Sequence, residues 1–177
     1  MKDLMIDIET LDTKSTAVIT QIGACLFDRQ TGEIGDTFLV NLSVGDALMF
    51  GLTVNEETIS WWRQQLNRSW LNSPIKFKTA LAAFLNFCEK RTIKAVWSHA
   101  TFDIPILTNA FRVCKLELPF HFRDCRDIRT LVDLAGISKD EMKAKTTAEK
   151  THNALDDCIY QVEYCVNCFK KLKNEIS

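Results

Sequence analysis

Residues Leu4-Met5-Ile6-Asp7-Ile8-Glu9-Thr10 set two carboxylates into an otherwise apolar run. So hydrophobic a run predicts a central strand, about Asp3 to Ile8, covered on both faces. Side chains two apart on a strand share a face, so Asp7 and Glu9 stand side by side. Neighbouring anions repel, and an ionised group loses several kcal/mol on burial unless something compensates. A divalent cation compensates well, because hard oxygen ligands suit Mg²⁺ and Mn²⁺. The alternative is a strand that stops at Ile8 and leaves Glu9 in water.

The rest of the chain supplies the layers such a strand requires. Val18 to Phe27 reads as a second strand, Asp28-Arg29-Gln30-Thr31-Gly32 as a turn, and Glu33 to Leu42 as the returning strand. Helical periodicity comes next. Thr53 with Glu56 three residues on resembles a capping box, opening a helix through Trp61, Trp62 and Gln65. Pro74 stands near the start of a second helix with Phe77, Leu81, Phe84, Leu85 and Cys88 as its apolar stripe. Ala95-Val96-Trp97 reads as a short buried strand, followed by a helix from Phe102 to Val113 capped by Thr101. Phe120 to Arg123 reads as another strand, Asp127 as the cap of a helix ended by Gly136, and Asn153 to about Lys173 as a closing helix. Strands first and αβ alternation afterwards predict an α/β fold. Its mixed five-stranded sheet is antiparallel in the hairpin part and parallel in the rest, with helices on both faces.

A length of 177 residues suits one domain. No stretch of eighteen or more apolar residues occurs, so no membrane span is expected. Seven cysteines without disulfide-framework spacing, and a start lacking an apolar signal region, predict a cytoplasmic protein. A net charge of −1 disfavours a protein that coats long duplexes through many phosphate contacts. It leaves room for an enzyme gripping a few nucleotides at an acidic site.

Three further segments bear on Asp7 and Glu9. Asp103, in Trp97-Ser98-His99-Ala100-Thr101-Phe102-Asp103, lies in the first turn of a helix after a parallel strand. That is the sheet edge where open α/β folds place their sites. The same position is favourable for any Asp near a helix N-terminus, so ligand and structural readings both stand. In His152-Asn153-Ala154-Leu155-Asp156-Asp157, a wheel at ~100° per residue separates the two aspartates. Asp156 falls on the solvated side with Glu163; Asp157 falls on a shoulder with Ala154, Gln161 and Cys165, beside a core stripe of Leu155, Cys158, Ile159, Val162, Val166 and Phe169. Asp157 is therefore the better ligand candidate. His152, just before that helix, is a side chain able to take a proton near neutral pH.

Asp-x-Glu on the first strand, Phe-Asp after a middle strand and His-x-Ala-x-x-Asp entering the last helix resemble the three motifs of the DEDDh branch of the DnaQ-like, ribonuclease H-like 3′–5′ exonucleases. Their order and approximate spacing agree over nearly the whole chain. Trp61-Trp62 with Gln65, and Arg126-Asp127-Ile128-Arg129-Thr130, look like the group with the mycobacterial RNase T-like exoribonuclease and phage exonucleases. The resemblance implies two Mg²⁺ or Mn²⁺ ions held by Asp7, Glu9, Asp103 and Asp157. Asp7 would bridge them, Glu9 and Asp157 would complete the site supplying the nucleophile, and Asp103 would act near the second ion. Two cations ~3.5–4 Å apart stabilise both the attacking and the leaving oxygen of a phosphodiester. His152 would be the general base, on a polar loop able to close over a bound 3′ end.

The implied activity is removal of nucleoside 5′-monophosphates from 3′ ends of single-stranded RNA or DNA, in a protein whose relatives are often homodimers. A non-catalytic nucleic-acid-binding module on the same fold would have no need of four acids and a His. A ribonuclease H-like endonuclease is not expected to carry the His152-to-Asp157 segment. Thr10 and Leu11 fall where relatives contact the terminal nucleotide through backbone groups and an apolar wedge. His99 stands where many relatives have Asn or Gly, which bears on how the terminal sugar is held. Phe102 suits base stacking or core packing, and Lys143, Lys145 and Lys150 suit phosphate contacts or plain solvation. Cys165-x-x-Cys168 with Cys158 lies on one helix without a second ligand pair, which fits a packing stripe rather than zinc.

Overall fold

The protein is described from a computed structural model, over residues 2–65, 72–138, 140–141 and 151–176. Its elements are β1 (Asp3–Thr10), β2 (Ile19–Phe27), β3 (Ile34–Asn41), α1 (Val44–Met49), α2 (Glu56–Arg63), α3 (Phe77–Glu89), β4 (Ala95–Ser98), α4 (Ala100–Val113), β5 (Cys125–Asp127), α5 (Ile128–Leu134) and α6 (Ala154–Ile176). The sheet order is β3-β2-β1-β4-β5. β1 pairs antiparallel with β2, as β2 does with β3. β1 to β4 and β4 to β5 are parallel. This is the mixed ribonuclease H-like sheet anticipated from the sequence.

β1 is central and wholly buried, and its pleat divides two apolar layers. Leu4, Ile6 and Ile8 enter a cluster with Phe77, Phe84 and Phe111, under α1 to α4. Met5 enters the opposite cluster with Cys25, Phe27, Trp97 and the inner faces of α5 and α6. Asp7 and Glu9 follow Met5 by alternation, toward α6. The strand continues past Ile8: Glu9 pairs with Gln21 and Thr10 with Ile19, with an irregularity between the two pairs. Glu9 is buried, so the alternative of a strand ending at Ile8 with a wet Glu9 does not hold.

Several local expectations shift. The α2 cap is Asn55, whose Oδ1 accepts from the Glu57 and Thr58 amides at 2.8 and 3.0 Å. Thr53 is instead occupied by Asp12, donating its hydroxyl to Oδ2 at 2.7 Å. α4 starts one residue before Thr101, leaving His99 at the cap position. Phe120 to Arg123 is not a strand, because only Cys125–Asp127 aligns beside Val96–Ser98; Phe122–Asp124 forms a 3-10 turn. α1 was not anticipated. Its Asp46 caps a different helix, accepting from the Phe77 amide at 2.7 Å, a partnership that no local pattern encodes. The cap at Asp127 is as expected, and Asn153 caps α6, its Oδ1 accepting from the Leu155 and Asp156 amides at 3.1 and 3.3 Å.

The buried face of α6 keeps Cys158, Val162 and Val166 of the anticipated stripe and widens toward Ala154, Gln161, Cys165 and Cys168, while Leu155, Ile159 and Phe169 lie at the flanks. Small side chains face the sheet because the helix approaches it closely at β2. A Cβ on Gly23 would stand 2.2 Å from the Ala154 carbonyl carbon. All three cysteines of this helix are buried and pack, as expected. No helix among the described residues is long and apolar enough to cross a membrane.

Candidate active site

The carboxyl ends of β1 and β4 and the N-terminal turns of α4 and α6 converge on a cavity of ≈ 300 Å³. Its walls include Asp7, Glu9, Asp103, His152 and Asp157, the five residues expected to do the chemistry, together with His99 and Phe102. Thr10 and Leu11 are buried and do not line it. Their polar groups serve the fold. The Thr10 carbonyl accepts from Trp62 Nε1 at 2.9 Å, and the Leu11 amide and carbonyl bond Val18 and Asn55. Phe102 both borders the cavity and packs on the core. Lys143, Lys145 and Lys150 lie outside the described residues.

The four carboxylates are nearly removed from water, with exposures of 8% for Asp7, 9% for Glu9, 1% for Asp103 and 3% for Asp157. Their ligand atoms form two trios. Asp7, His99 and Asp103 bring one atom each within 4.8 Å of one another, and so do Glu9, His152 and Asp157. Burial, and then the adjacent Asp7 charge, push the Asp103 carboxyl well above the usual carboxylate range; Glu9 adds to the push, against the lowering pull of the His99 backbone and Arg129. Its Oδ2 is buried with no protein partner. Crowded carboxylates, one with an orphaned oxygen, fit divalent cations held through oxygen.

Neighbouring polar groups aim these side chains. Gln161 Nε2 donates to Asp7 Oδ1 at 2.6 Å, joining α6 to β1. Asp157 Oδ1 accepts from the Thr151 amide at 3.0 Å, while the exposed Asp156 takes the Thr151 hydroxyl at 2.8 Å. The two aspartates thus differ in burial as the helical wheel requires. Gln21 Oε1 accepts from the Ala154 amide at 2.6 Å, so the start of α6 is pinned where Gly23 lets it approach. His152 has φ +56°, a left-handed backbone unusual outside glycine. Its ring meets Trp61 edge-on at 4.8 Å and Trp62 at 6.1 Å between centroids. Gln21 and Gln161 carry no site signal in the sequence, and Trp61 enters it only through the Trp61-Trp62 resemblance, with no role assigned. The only clue to Gln161 is that it shares the Asp157 shoulder of the wheel.

A family model for the 3′–5′ exoribonuclease Rv2179c-like domain matches residues 2–169. The chain belongs to that family. No curated protein matches it in sequence. Among solved structures, Escherichia coli exonuclease I in complex with a dT13 oligonucleotide is 12% identical with a TM-score of 0.71, covering 98% of this chain and 42% of that one. Exonuclease I from Methylocaldum szegediense is 14% identical with a TM-score of 0.72, covering 97% and 41%. A 3′-exonuclease that recognises the histone mRNA stem-loop is 14% identical with a TM-score of 0.66, covering 95% and 81%. At such identities these likenesses describe the fold. The chain spans about two fifths of the length of the exonuclease I chains.

Proposed function

We propose that this member of the exoribonuclease family hydrolyses the terminal phosphodiester at 3′ ends of single-stranded nucleic acid, releasing nucleoside 5′-monophosphates. The carrying observation is the pair of ligand trios facing one cavity, with a histidine in the trio opposite Asp103. Asp7, Glu9, Asp103 and Asp157 would hold two divalent cations, Mg²⁺ or Mn²⁺. Bound there, the cations neutralise the phosphate and stabilise charge on the attacking and leaving oxygens.

The side chains supply the rest. His152 takes a proton from the attacking water, whose oxygen bonds to phosphorus as the bond to the 3′ oxygen breaks; that oxygen leaves with a proton from solvent. Trp61 and Trp62 limit the swing of the imidazole, so the base meets the water in a restricted set of orientations. Arg129, on the cavity wall, offers a guanidinium to a phosphate oxygen. The exposed edge of Phe102 offers a stacking surface to a base of any identity. Single strands are favoured, because a terminal nucleotide must leave its stack to reach a cavity of this size.

The test incubates 5′-labelled RNA and DNA strands, single and duplex, with protein and Mn²⁺. A ladder that shortens from the 3′ end, lost in Asp7→Ala and His152→Ala, is the expected result. No shortening of any substrate overturns the proposal.

A further inference from the structure

We infer that His99 is a metal ligand, so that one of the two cations sits in a mixed nitrogen–oxygen set of Asp7, His99 and Asp103 and is Mn²⁺ in preference to Mg²⁺. The inference rests on the cation-dependent reading above and refines it.

Three observations converge on His99. Its ring places a nitrogen within 4.8 Å of ligand oxygens of both Asp7 and Asp103, on the cavity wall. The Asp103 Oδ2 in this trio is buried and has no protein partner, so the trio contains an acceptor that only a bound species satisfies. Finally, His99 holds the cap position of α4 but makes no side-chain cap hydrogen bond. Ser, Thr, Asp or Asn there would stabilise the helix by accepting from its first amides. The chain forgoes that and directs an imidazole toward two carboxylates instead.

The ring is also oriented from outside. Its Nε2 lies 3.5 Å from the hydroxyl of Tyr164, a buried residue of α6. Imidazole suits the later divalent metals, whereas Mg²⁺ keeps to oxygen and water. A nitrogen bonded directly to the ion therefore biases this position away from Mg²⁺. The trio of Glu9, His152 and Asp157 offers a nitrogen as well, and the experiment separates the two.

The protein is loaded with Mn²⁺ after ¹⁵N-histidine labelling, and pulsed electron paramagnetic resonance records the nitrogen coupling to the ion. Wild type should show directly bonded imidazole nitrogen. The signal should survive His152→Asn and vanish in His99→Asn, a change that improves the α4 cap and so leaves the fold intact. Titration should show Mn²⁺ binding weakened in His99→Asn by at least about tenfold, the scale for disturbing a metal's supports, with Mg²⁺ binding little changed. Mn²⁺ that binds wild type without nitrogen coupling, or coupling that depends on His152 alone, overturns the assignment to His99 and leaves the parent reading standing. Failure of wild type to bind Mn²⁺ at all overturns both.

Discussion

The two halves of the site are built differently. Asp7, His99 and Asp103 come from the regular stretch of β1, where Asp7 pairs with Gly23, from the residue after β4 and from the first turn of α4. Glu9, His152 and Asp157 come from the irregular end of β1, a residue with a left-handed backbone and the first turn of α6. One half has regular strand pairing at Asp7 and one side-chain prop, Gln161 donating to Asp7. The other depends on side-chain props, namely Gln21, Thr151 and the tryptophan pair. Under the proposed function, the half around Asp7 would fix the phosphate while the propped half around His152 would let the base adapt to the strand.

The contrast is most severely tested at Asp103. Asp103→Asn should abolish detectable exonuclease activity while raising the melting temperature of the metal-free protein. Relief of ~1 kcal/mol moves a chain of this size by about 2–4 °C. The pH sign follows from the raised carboxyl. In the folded, metal-free protein Asp103 keeps its proton at pH values where the unfolded chain has lost it. Its contribution to stability is therefore full below the ordinary carboxyl value of 3.8 and is lost as pH rises through the elevated folded value. Added cation should reverse that trend, and calorimetry across pH with and without Mn²⁺ checks it. A metal-free variant less stable than wild type would show the half around Asp7 to be unstrained.

His152→Ala addresses the other half and should lower kcat about 10²–10⁴-fold, the usual worth of a general base, with Mn²⁺ stoichiometry at the Asp7 half unchanged by titration. Gly23→Ala should push the start of α6 from β2, destabilising by about 1–3 kcal/mol as overpacking does. In that variant the Mn²⁺ count should fall from two ions toward one, because Asp157 moves while Asp103 does not. Two tightly bound ions in Gly23→Ala would mean both halves are equally rigid. Trp61→Ala, at a side chain already 41% exposed, should lower kcat by about tenfold, a small share of the effect of removing the base itself. Trp61→Phe should restore much of it by keeping an edge against the imidazole. Steady-state kinetics that place the Trp61→Ala loss in KM instead would assign that ring to substrate.

The sequence revealed the charged components more readily than their supports. Asp7, Glu9, Asp103, His152 and Asp157 were legible because carboxylates in apolar or helix-entry settings violate a local expectation. The sheet was legible too, because β1, β2 and β4 carry dense apolar runs. Local patterning failed where a distant group supplied the partner. Asp12 occupies Thr53 and displaces the α2 cap to Asn55, and Asp46 caps α3 across 31 residues. The α6 stripe holds at Cys158, Val162 and Val166 but misses at Leu155 and Ile159, where hydrophobicity is outweighed by the close approach at Gly23, which favours alanine and cysteine. Thr10 and Leu11 come directly after the motif in sequence, yet their backbone groups are consumed by Trp62, Val18 and Asn55. Gln161 was silent, since an amide on a helix is ordinary until its neighbours are known, and Trp61 stood out only through the Trp61-Trp62 resemblance, with no role attached.

The pleat of β1 also makes the site a matter of counting. Odd-numbered residues 5, 7 and 9 face α6 and even-numbered residues 4, 6 and 8 face the opposite layer. One residue inserted or deleted between Leu4 and Asp7 would exchange the two faces for the remainder of the strand. Ile8 would then point into the cavity and both acids into a layer of phenylalanines. Exchange of one aliphatic residue for another in this strand is a small perturbation, but a one-residue change in its length destroys the site and the core together. The spacing of this strand is therefore under a stricter rule than its composition.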